Sequence, residues 1–259
     1  MKLGVFDSGL GGLTIVKTML ESLQGVDMIY IADTKNAPYG EKGAQQIIDF
    51  STKITDYFID KFDIDALVIA CNTATSAAIK ELREKYKNLI IIGTEPGLKP
   101  AISHSQSKKV GVLATPATLN GAKYILLRDE LSKQYKVDVF EQACPGLVQQ
   151  IELGEIDSPK TISMLESWLA PMREAGVDTI VLGCTHYPLV GESIKKVMQR
   201  DVSLIETSNA ITKRVKELCG NDLNKTTDNS LKIFATGDIN ENMIEMILAQ
   251  KHKAIQIKI

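Results

Sequence analysis

Short apolar runs alternate along this chain with longer amphipathic segments. The apolar runs predict strands over residues 3–6, 28–32, 66–70, 89–92, 110–113, 137–140, 179–182, 202–205 and 231–235. Residues 13–23, 44–61, 75–86, 119–135, 158–175, 189–199, 210–218 and 240–250 carry apolar positions at helical spacing and predict helices. Strands that are apolar throughout, each followed by a helix, belong in a mainly parallel sheet covered by helices on both faces. The expected class is α/β. The chain contains no low-complexity segment and no long Pro/Gly-rich linker.

One internal comparison sharpens this pattern. Ile64-Asp65-Ala66-Leu67-Val68-Ile69-Ala70-Cys71 resembles Val177-Asp178-Thr179-Ile180-Val181-Leu182-Gly183-Cys184 at an offset of 113 residues. Thr94 and Thr207, each just after a predicted strand, pair at the same offset. Lys2-Leu3-Gly4-Val5-Phe6 resembles Lys109-Val110-Gly111-Val112-Leu113 at an offset of 107, so a small insertion separates the matches. Buried parallel strands resemble one another by composition alone. A cysteine ending both segments, in a chain with only four, does not follow from that. Two similar α/β halves are expected.

Composition narrows the function classes. A chain of 259 residues, 44% hydrophobic and 24% charged, has the makeup of an ordinary globular protein. A formal net charge of -2 offers no electrostatic argument for nucleic acid or an anionic membrane as partner. No apolar run approaches the roughly 20 residues needed to span a bilayer. The N-terminus lacks a signal-peptide pattern, so a cytoplasmic location is expected. There the four cysteines, Cys71, Cys144, Cys184 and Cys219, should be free thiols. No CxxC pair or Cys/His ligand spacing points to zinc. Cys144 and Cys219 are expected to fill buried space.

Cys71 and Cys184 each end a predicted buried strand, at the carboxyl edge where open α/β sheets bind ligands. Small polar residues follow, Asn72-Thr73-Ala74-Thr75 and Thr185-His186-Tyr187-Pro188, and then a predicted helix. A thiol at a helix N-terminus meets the positive end of the dipole and free N–H groups, which favour the thiolate. Either cysteine alone could be a small turn residue; matched positions in two similar segments are harder to explain so.

Other motifs on the same edge supply polar groups. Asp7-Ser8-Gly9-Leu10-Gly11-Gly12-Leu13 follows the first strand, and its glycines permit tight turning and close backbone approach to a ligand. It is neither a GxGxxG dinucleotide loop nor a phosphate loop; Asp33 does follow the second strand, but the glycine spacing fails. Its plain reading is a strand-to-helix turn capped by Asp7 or Ser8. Pro38-Tyr39-Gly40 is a turn that can present Tyr39 to a ligand. Thr115 and Thr118 follow the strand over 110–113 and serve as caps unless the repeat makes them ligands. His186 is placed to orient or deprotonate Cys184, or to serve as a hydrogen-bonded turn histidine. His104 and His252 are expected to be solvated.

Together these motifs resemble the glutamate racemases of the aspartate/glutamate racemase superfamily. The resemblance rests on Phe6-Asp7-Ser8-Gly9-Leu10-Gly11-Gly12-Leu13, Pro38-Tyr39-Gly40, Ala70-Cys71-Asn72-Thr73-Ala74 and Gly183-Cys184-Thr185-His186-Tyr187-Pro188, in the family's order and across most of the chain. It implies two α/β lobes with the active site in the cleft between them. The lobes would comprise residues 1–93 plus 207–259, carrying Cys71, and residues 94–206, carrying Cys184. It implies cofactor-independent interconversion of L- and D-glutamate without pyridoxal phosphate or metal, D-glutamate going to peptidoglycan synthesis. It makes Cys71 and Cys184 the acid/base pair, with Asp7 assisting the first, and His186 and Glu152 the second. Asp7, Ser8, Pro38, Tyr39, Gly40, Asn72, Thr73, Thr185 and His186 become substrate-binding positions, with Thr75, Thr115 and Thr118 beside them. A homodimer is expected, as is common in the family. Lys35-Asn36 stands where many members have Ala-Arg, which touches no catalytic role.

Two thiols suit such a reaction. Racemisation removes the α-hydrogen from one face and returns a proton to the other, so one thiolate base and one opposed thiol acid exchange roles with direction. Without an electron sink, charge moving onto the carboxylate must be met by preorganised donors. Three other readings remain open on the residues alone. These are a racemase of a related acid such as aspartate, a cysteine hydrolase using Cys184 and His186, and a non-catalytic two-lobed binding protein.

Overall fold

The structure, a computed structural model, describes residues 1–95, 97–220 and 228–259. Residues 96 and 221–227, which fall inside the expected lobe ranges, lie outside the described residues. In chain order the elements begin β1 (Lys2–Asp7), α1 (Leu13–Ser22), β2 (Asp27–Ala32), α2 (Ala44–Phe62), β3 (Ala66–Ile69), α3 (Asn72–Lys85) and β4 (Ile90–Gly93). They continue with α4 (Leu98–His104), β5 (Lys109–Ala114), α5 (Pro116–Leu119), α6 (Ala122–Tyr135), β6 (Asp138–Ala143), α7 (Leu147–Glu152), α8 (Pro159–Ala175) and β7 (Thr179–Gly183). The last are α9 (Gly191–Met198), β8 (Ser203–Ile205), α10 (Ser208–Cys219), β9 (Ser230–Ala235), α11 (Glu241–Leu248) and β10 (Ala254–Gln256).

The chain divides into two units, Met1–Thr94 with Ser208–Ile259, and Glu95–Thr207. The first holds a parallel sheet of order β10-β9-β2-β1-β3-β4. The second holds a parallel sheet of order β6-β5-β7-β8. Four consecutive strands of the first sheet, β2-β1-β3-β4, running to its β4 edge, thus repeat the order of the second.

The repeat extends to register. Leu3 pairs with Ala66 as Val110 pairs with Thr179, and Ala66 pairs with Ile90 as Thr179 pairs with Ser203. These are the offsets of 107 and 113 read from the sequence. Side-chain packing repeats as well. A Cβ on Gly4 would lie 2.9 Å from Ile64 Cδ1, and one on Gly111 would lie 3.4 Å from Val177 Cγ1, the residue 113 positions beyond Ile64. Each half closes its first strand against the apolar residue that precedes the repeated Asp. Those aspartates tie the next strand to the first: Asp65 accepts from Lys2 N–H at 2.7 Å, and Asp178 from Ser107 N–H at 2.6 Å.

Every predicted strand and helix has a counterpart, with two informative differences. The helix expected over 119–135 breaks into α5 and α6. Thr115 caps α5 with Pro116 in its first turn, and Gly121 then donates to Thr118 C=O in an extended conformation that starts α6 afresh. The short elements α4, α7 and β10 carry too few apolar periods to stand out in the sequence. No helix among the described residues is long and apolar enough to cross a membrane.

Candidate functional site

Both sheets end their strands at a carboxyl edge, and the order around β1 and around β5 reverses there. In such sheets the crevice outside that reversal is where ligands bind. In the first unit the residues on it are Asp7 at the end of β1, Ser8 just beyond it, Asp33 after β2 and Cys71 after β3. In the second they are Thr115 after β5, Cys144 after β6 and Cys184 after β7.

Cys71 is the N-cap of α3. Its carbonyl accepts from Thr75 N–H at 2.9 Å, and its Sγ accepts from Ala74 N–H at 3.4 Å. Ser8 Oγ lies 3.9 Å from the same sulfur. Asn72 and Thr73 form the first turn of α3 and are buried with Cys71. Asp7 is fully buried, and its Oδ2 accepts from Gly9 N–H at 3.4 Å and Gly12 N–H at 3.1 Å. Gly12 is required there: a Cβ would stand 2.8 Å from Asp7 Cβ and 2.9 Å from Tyr30 OH. Tyr30 OH in turn donates to Gly9 C=O at 2.6 Å, holding the glycine loop from beneath.

Pro38 follows a cis peptide bond and leads into a single 3-10 turn, Tyr39–Glu41, that contains Gly40. Tyr39 is buried in the same apolar cluster as Cys71. Thr75 is also buried, but its hydroxyl is used within the scaffold: it donates to Ile69 C=O at 3.2 Å and accepts from Thr94 N–H at 3.1 Å.

The surroundings of Cys184 differ. Unlike Cys71, which α3 follows directly, Cys184 is separated from α9 by a 3-10 turn, Tyr187–Val190, so that the helix begins beyond Pro188, as the sequence predicts. Pro188 is the cause. An α-helix capped by Cys184 would need the residue 188 N–H to reach Cys184 C=O, and proline has none. Tyr187 N–H makes that contact instead, at 3.1 Å.

The partner of Cys184 is a side chain. His186 Nδ1 lies 3.8 Å from Cys184 Sγ and 3.3 Å from Thr185 Oγ1, while Nε2 lies 2.6 Å from Glu152 Oε1 at the end of α7. Burial disfavours the His186 imidazolium. The hydrogen bonds to Cys184 and Glu152, together with the Glu152 charge, outweigh it and hold the His186 pKa well above the usual histidine range. A carboxylate that orients an imidazole beside a thiol is an activated sulfur, fit to take a proton or to attack carbon.

Thr115 and Thr118 sit at the end of β5, with hydroxyls 3.0 Å apart and Thr115 Oγ1 capping α5. Cys144, the fourth member of this edge, is buried, and burial pushes its thiol up to about 12. Cys219 is buried in α10. His104 is exposed, as expected, at the end of α4, 2.8 Å from Ser203 Oγ. Among the described residues no group of three or more His, Cys, Asp or Glu is arranged to hold a metal ion.

Comparison with known proteins gives the family. Residues 3–215 match the model of the Asp/Glu/Hydantoin racemase family. This chain belongs to that family. It is accordingly a racemase, an isomerase by reaction class. It is 56% identical over 254 residues to the glutamate racemase of Sulfurovum sp. (strain NBC37-1), covering 96% of this chain and 95% of the relative. It is 55% identical to that of Aliarcobacter butzleri (strain RM4018), covering 97% of each. Among solved structures, glutamate racemase from Francisella tularensis subsp. tularensis SCHU S4, in complex with D-glutamate, superposes with a TM-score of 0.83 at 30% identity. That match covers 99% of this chain and 97% of the other.

Sequence reasoning passed over Asp33 and Tyr30. Tyr30 lies within β2 and Asp33 directly after it, where the sequence marks Asp33 only as an acidic residue following the second strand. The signal available was its position: it ends the strand beside the one that carries Asp7.

Proposed function

We propose that the chain interconverts L- and D-glutamate by two-base transfer of the α-proton, with Cys71 and Cys184 as the pair. The observation that carries this reading is the register repeat. Two cysteines end equivalent strands at equivalent carboxyl edges, in a chain of the racemase family whose relatives are glutamate racemases.

The chemistry divides as follows. One thiolate removes the α-hydrogen while the other thiol protonates the opposite face, so both must act on one α-carbon from opposite sides. His186, held by Glu152, accepts or returns the Cys184 proton. Ala74 N–H and Ser8 serve Cys71, with Asp7 holding the glycine loop beside it. The α-carboxylate must be gripped as negative charge moves onto it. Neutral donors at Ser8, Asn72, Thr73 and Thr185 and the Tyr39-Gly40 backbone suit that task, since fixed dipoles need no reorganisation as charge develops. Thr115, Thr118 and Thr75 flank these groups. Hydrolysis by Cys184 and His186 alone would leave the matched Cys71 edge without a role.

The same reading takes the product D-glutamate to peptidoglycan synthesis, in the cytoplasm, and the working form to be a homodimer. The deciding experiment incubates the purified chain with L-glutamate in deuterium oxide without added cofactor. Both enantiomers should appear with deuterium at the α-carbon. Aspartate racemised in preference to glutamate, or no exchange at all, would overturn the proposal.

A further inference from the structure

We propose that Asp33 is a positioning residue, whose buried carboxylate sets the Tyr39-Gly40 turn beside Cys71 and ties that turn to strand β9. The inference rests on the reading that Tyr39 and Gly40 face the substrate.

Asp33 extends the β1–β2 ladder by one rung, donating its N–H to Asp7 C=O at 2.9 Å. Its side chain is therefore delivered to the same edge as Asp7 and Cys71. Asp33 is only 2% exposed, and among the described residues no cation forms an ion pair with it. Its partners are neutral. Tyr39 OH donates to Oδ2 at 2.5 Å, Asn36 Nδ2 reaches both oxygens at 3.1 Å, and Thr236 Oγ1 donates to Oδ1 at 2.7 Å. A desolvated carboxylate is expensive to bury, and an apolar residue of similar size would cost less. What the charge supplies is geometry: three side chains converge on it from three segments.

Each of those segments has a distinct place. Asn36 ends the short 3-10 turn Thr34–Asn36 that follows β2. Thr236 follows β9, and it also accepts from Lys35 N–H at 3.1 Å, while Gly237 N–H donates to Thr34 Oγ1 at 2.9 Å. Tyr39 begins the turn that contains Gly40, and Pro38 ahead of it offers no side-chain cap. The phenol therefore anchors that turn through Asp33. Burial first, then the Asp33 charge, push the Tyr39 hydroxyl far above its ordinary range, so it stays a donor. Its ring packs 5.7 Å from Phe50. With the ring wedged and the hydroxyl held, the backbone of Tyr39 and Gly40 has one orientation. Support for it comes from β9, some 200 residues away in sequence.

The test measures kcat and KM for both enantiomers in the full chain, alongside the melting temperature. Because the equilibrium constant of a racemisation is unity, kcat/KM must agree in the two directions, which checks the data internally. Asp33→Ala should raise KM about tenfold for both enantiomers with a smaller change in kcat, because a misplaced turn weakens substrate binding before chemistry. Asp33→Asn, which keeps an acceptor for Tyr39, should recover most of that loss. Thr236→Val should raise KM by a smaller factor in the same sense. A lower melting temperature with KM unchanged in Asp33→Ala would reduce Asp33 to a structural role and overturn the proposal. Should Asp33→Ala not fold, Tyr39→Phe removes the same contact, and an unchanged KM there would overturn it equally. Gly40→Val separates the two readings. If it raises KM while Asp33→Ala and Tyr39→Phe do not, the positioning role alone fails. If none of these variants moves KM, the turn does not meet the substrate.

Discussion

Glu152 Oε1 stands 2.6 Å from His186 Nε2, 34 residues away along the chain, and leaves His186 Nδ1 turned toward Cys184. Glu152→Gln keeps the shape of this contact and removes its charge. It should lower kcat by about a hundredfold, within the span of general acid/base effects. The pH signature has a definite sign. Because folding raises the His186 pKa, the protonated pair stabilises the fold fully below the ordinary histidine value of about 6.5, and that stabilisation is lost as pH climbs through the raised value. Urea melts should show the difference between the parent chain and Glu152→Gln largest on the acid side. A difference that grows toward alkaline pH would contradict the pairing.

On the proposed two-base reading, replacing either thiol of the matched pair removes one of two required groups. Cys71→Ala and Cys184→Ala should each lower racemisation by about a thousandfold or more in both directions, as loss of a positioned acid/base does. Polarimetry from pure L- and pure D-glutamate reads this directly. Substantial two-way activity in either variant would sink the two-base mechanism.

The glycines behind the thiols are sterically required. A Cβ on Gly183 would stand 2.9 Å from Leu113 C=O and 2.9 Å from Ala114 Cβ, both on the neighbouring strand. Backbone there cannot yield as a side-chain tip can, so Gly183→Ala should destabilise by about 1–3 kcal/mol, the usual overpacking cost. Gly12→Ala presses on Asp7 and Tyr30 instead, and should cost activity as well as stability. Thermal melts and initial rates on the two variants separate these effects.

Asp178 offers a second pH test, of opposite sign. Burial raises its pKa, but hydrogen bonds from Ser105, Ser107 and Thr179 outweigh this and hold it at about 2. Its stabilisation is present above the ordinary carboxyl value of about 3.9 and is lost as pH falls through the depressed value. Asp178→Asn should therefore be less stable at neutral pH by about 2 kcal/mol, the scale of hydrogen bonds to a charged group. The gap should close in acid. A gap that is constant down to pH 2 would mean the charge is not responsible.

Cys144 shares the carboxyl edge with Cys184 yet should be inert. With its thiol pushed up to about 12, on the order of one molecule in ten thousand carries a thiolate there at pH 8. Iodoacetamide applied to the native chain at that pH, followed by mass spectrometry of peptides, should leave Cys144 unmodified. Rapid native-state labelling of Cys144 would contradict an inert, buried thiol at this position.

Strand and helix order was legible because it rests on local periodicity, and the two offsets were legible because matched registers demand matched spacing. The equivalence of Cys71 and Cys184 followed from those offsets. Their different surroundings did not. Pro188 is visible in the sequence, but its effect depends on whether the chain attempts a helix at Cys184, which the strand in front of it decides. Glu152 carried no local signal, since Glu152-Leu153-Gly154-Glu155 reads as any helix end.

By itself, then, the order of residues determined an α/β chain with a duplicated strand pattern, a cysteine closing each copy, and the polar loops that share their edge. These are properties of neighbours, set by side-chain period, turn chemistry and the hydrogen bonds a residue can make within a few positions. Only the tertiary structure showed which distant groups meet at these edges: Glu152 against His186, and Tyr39, Asn36 and Thr236 around Asp33. Those contacts arise where separate segments are brought to one sheet edge. A buried carboxylate or imidazole then takes whichever donors arrive, because leaving it unpaired away from water costs more than ordering its partners.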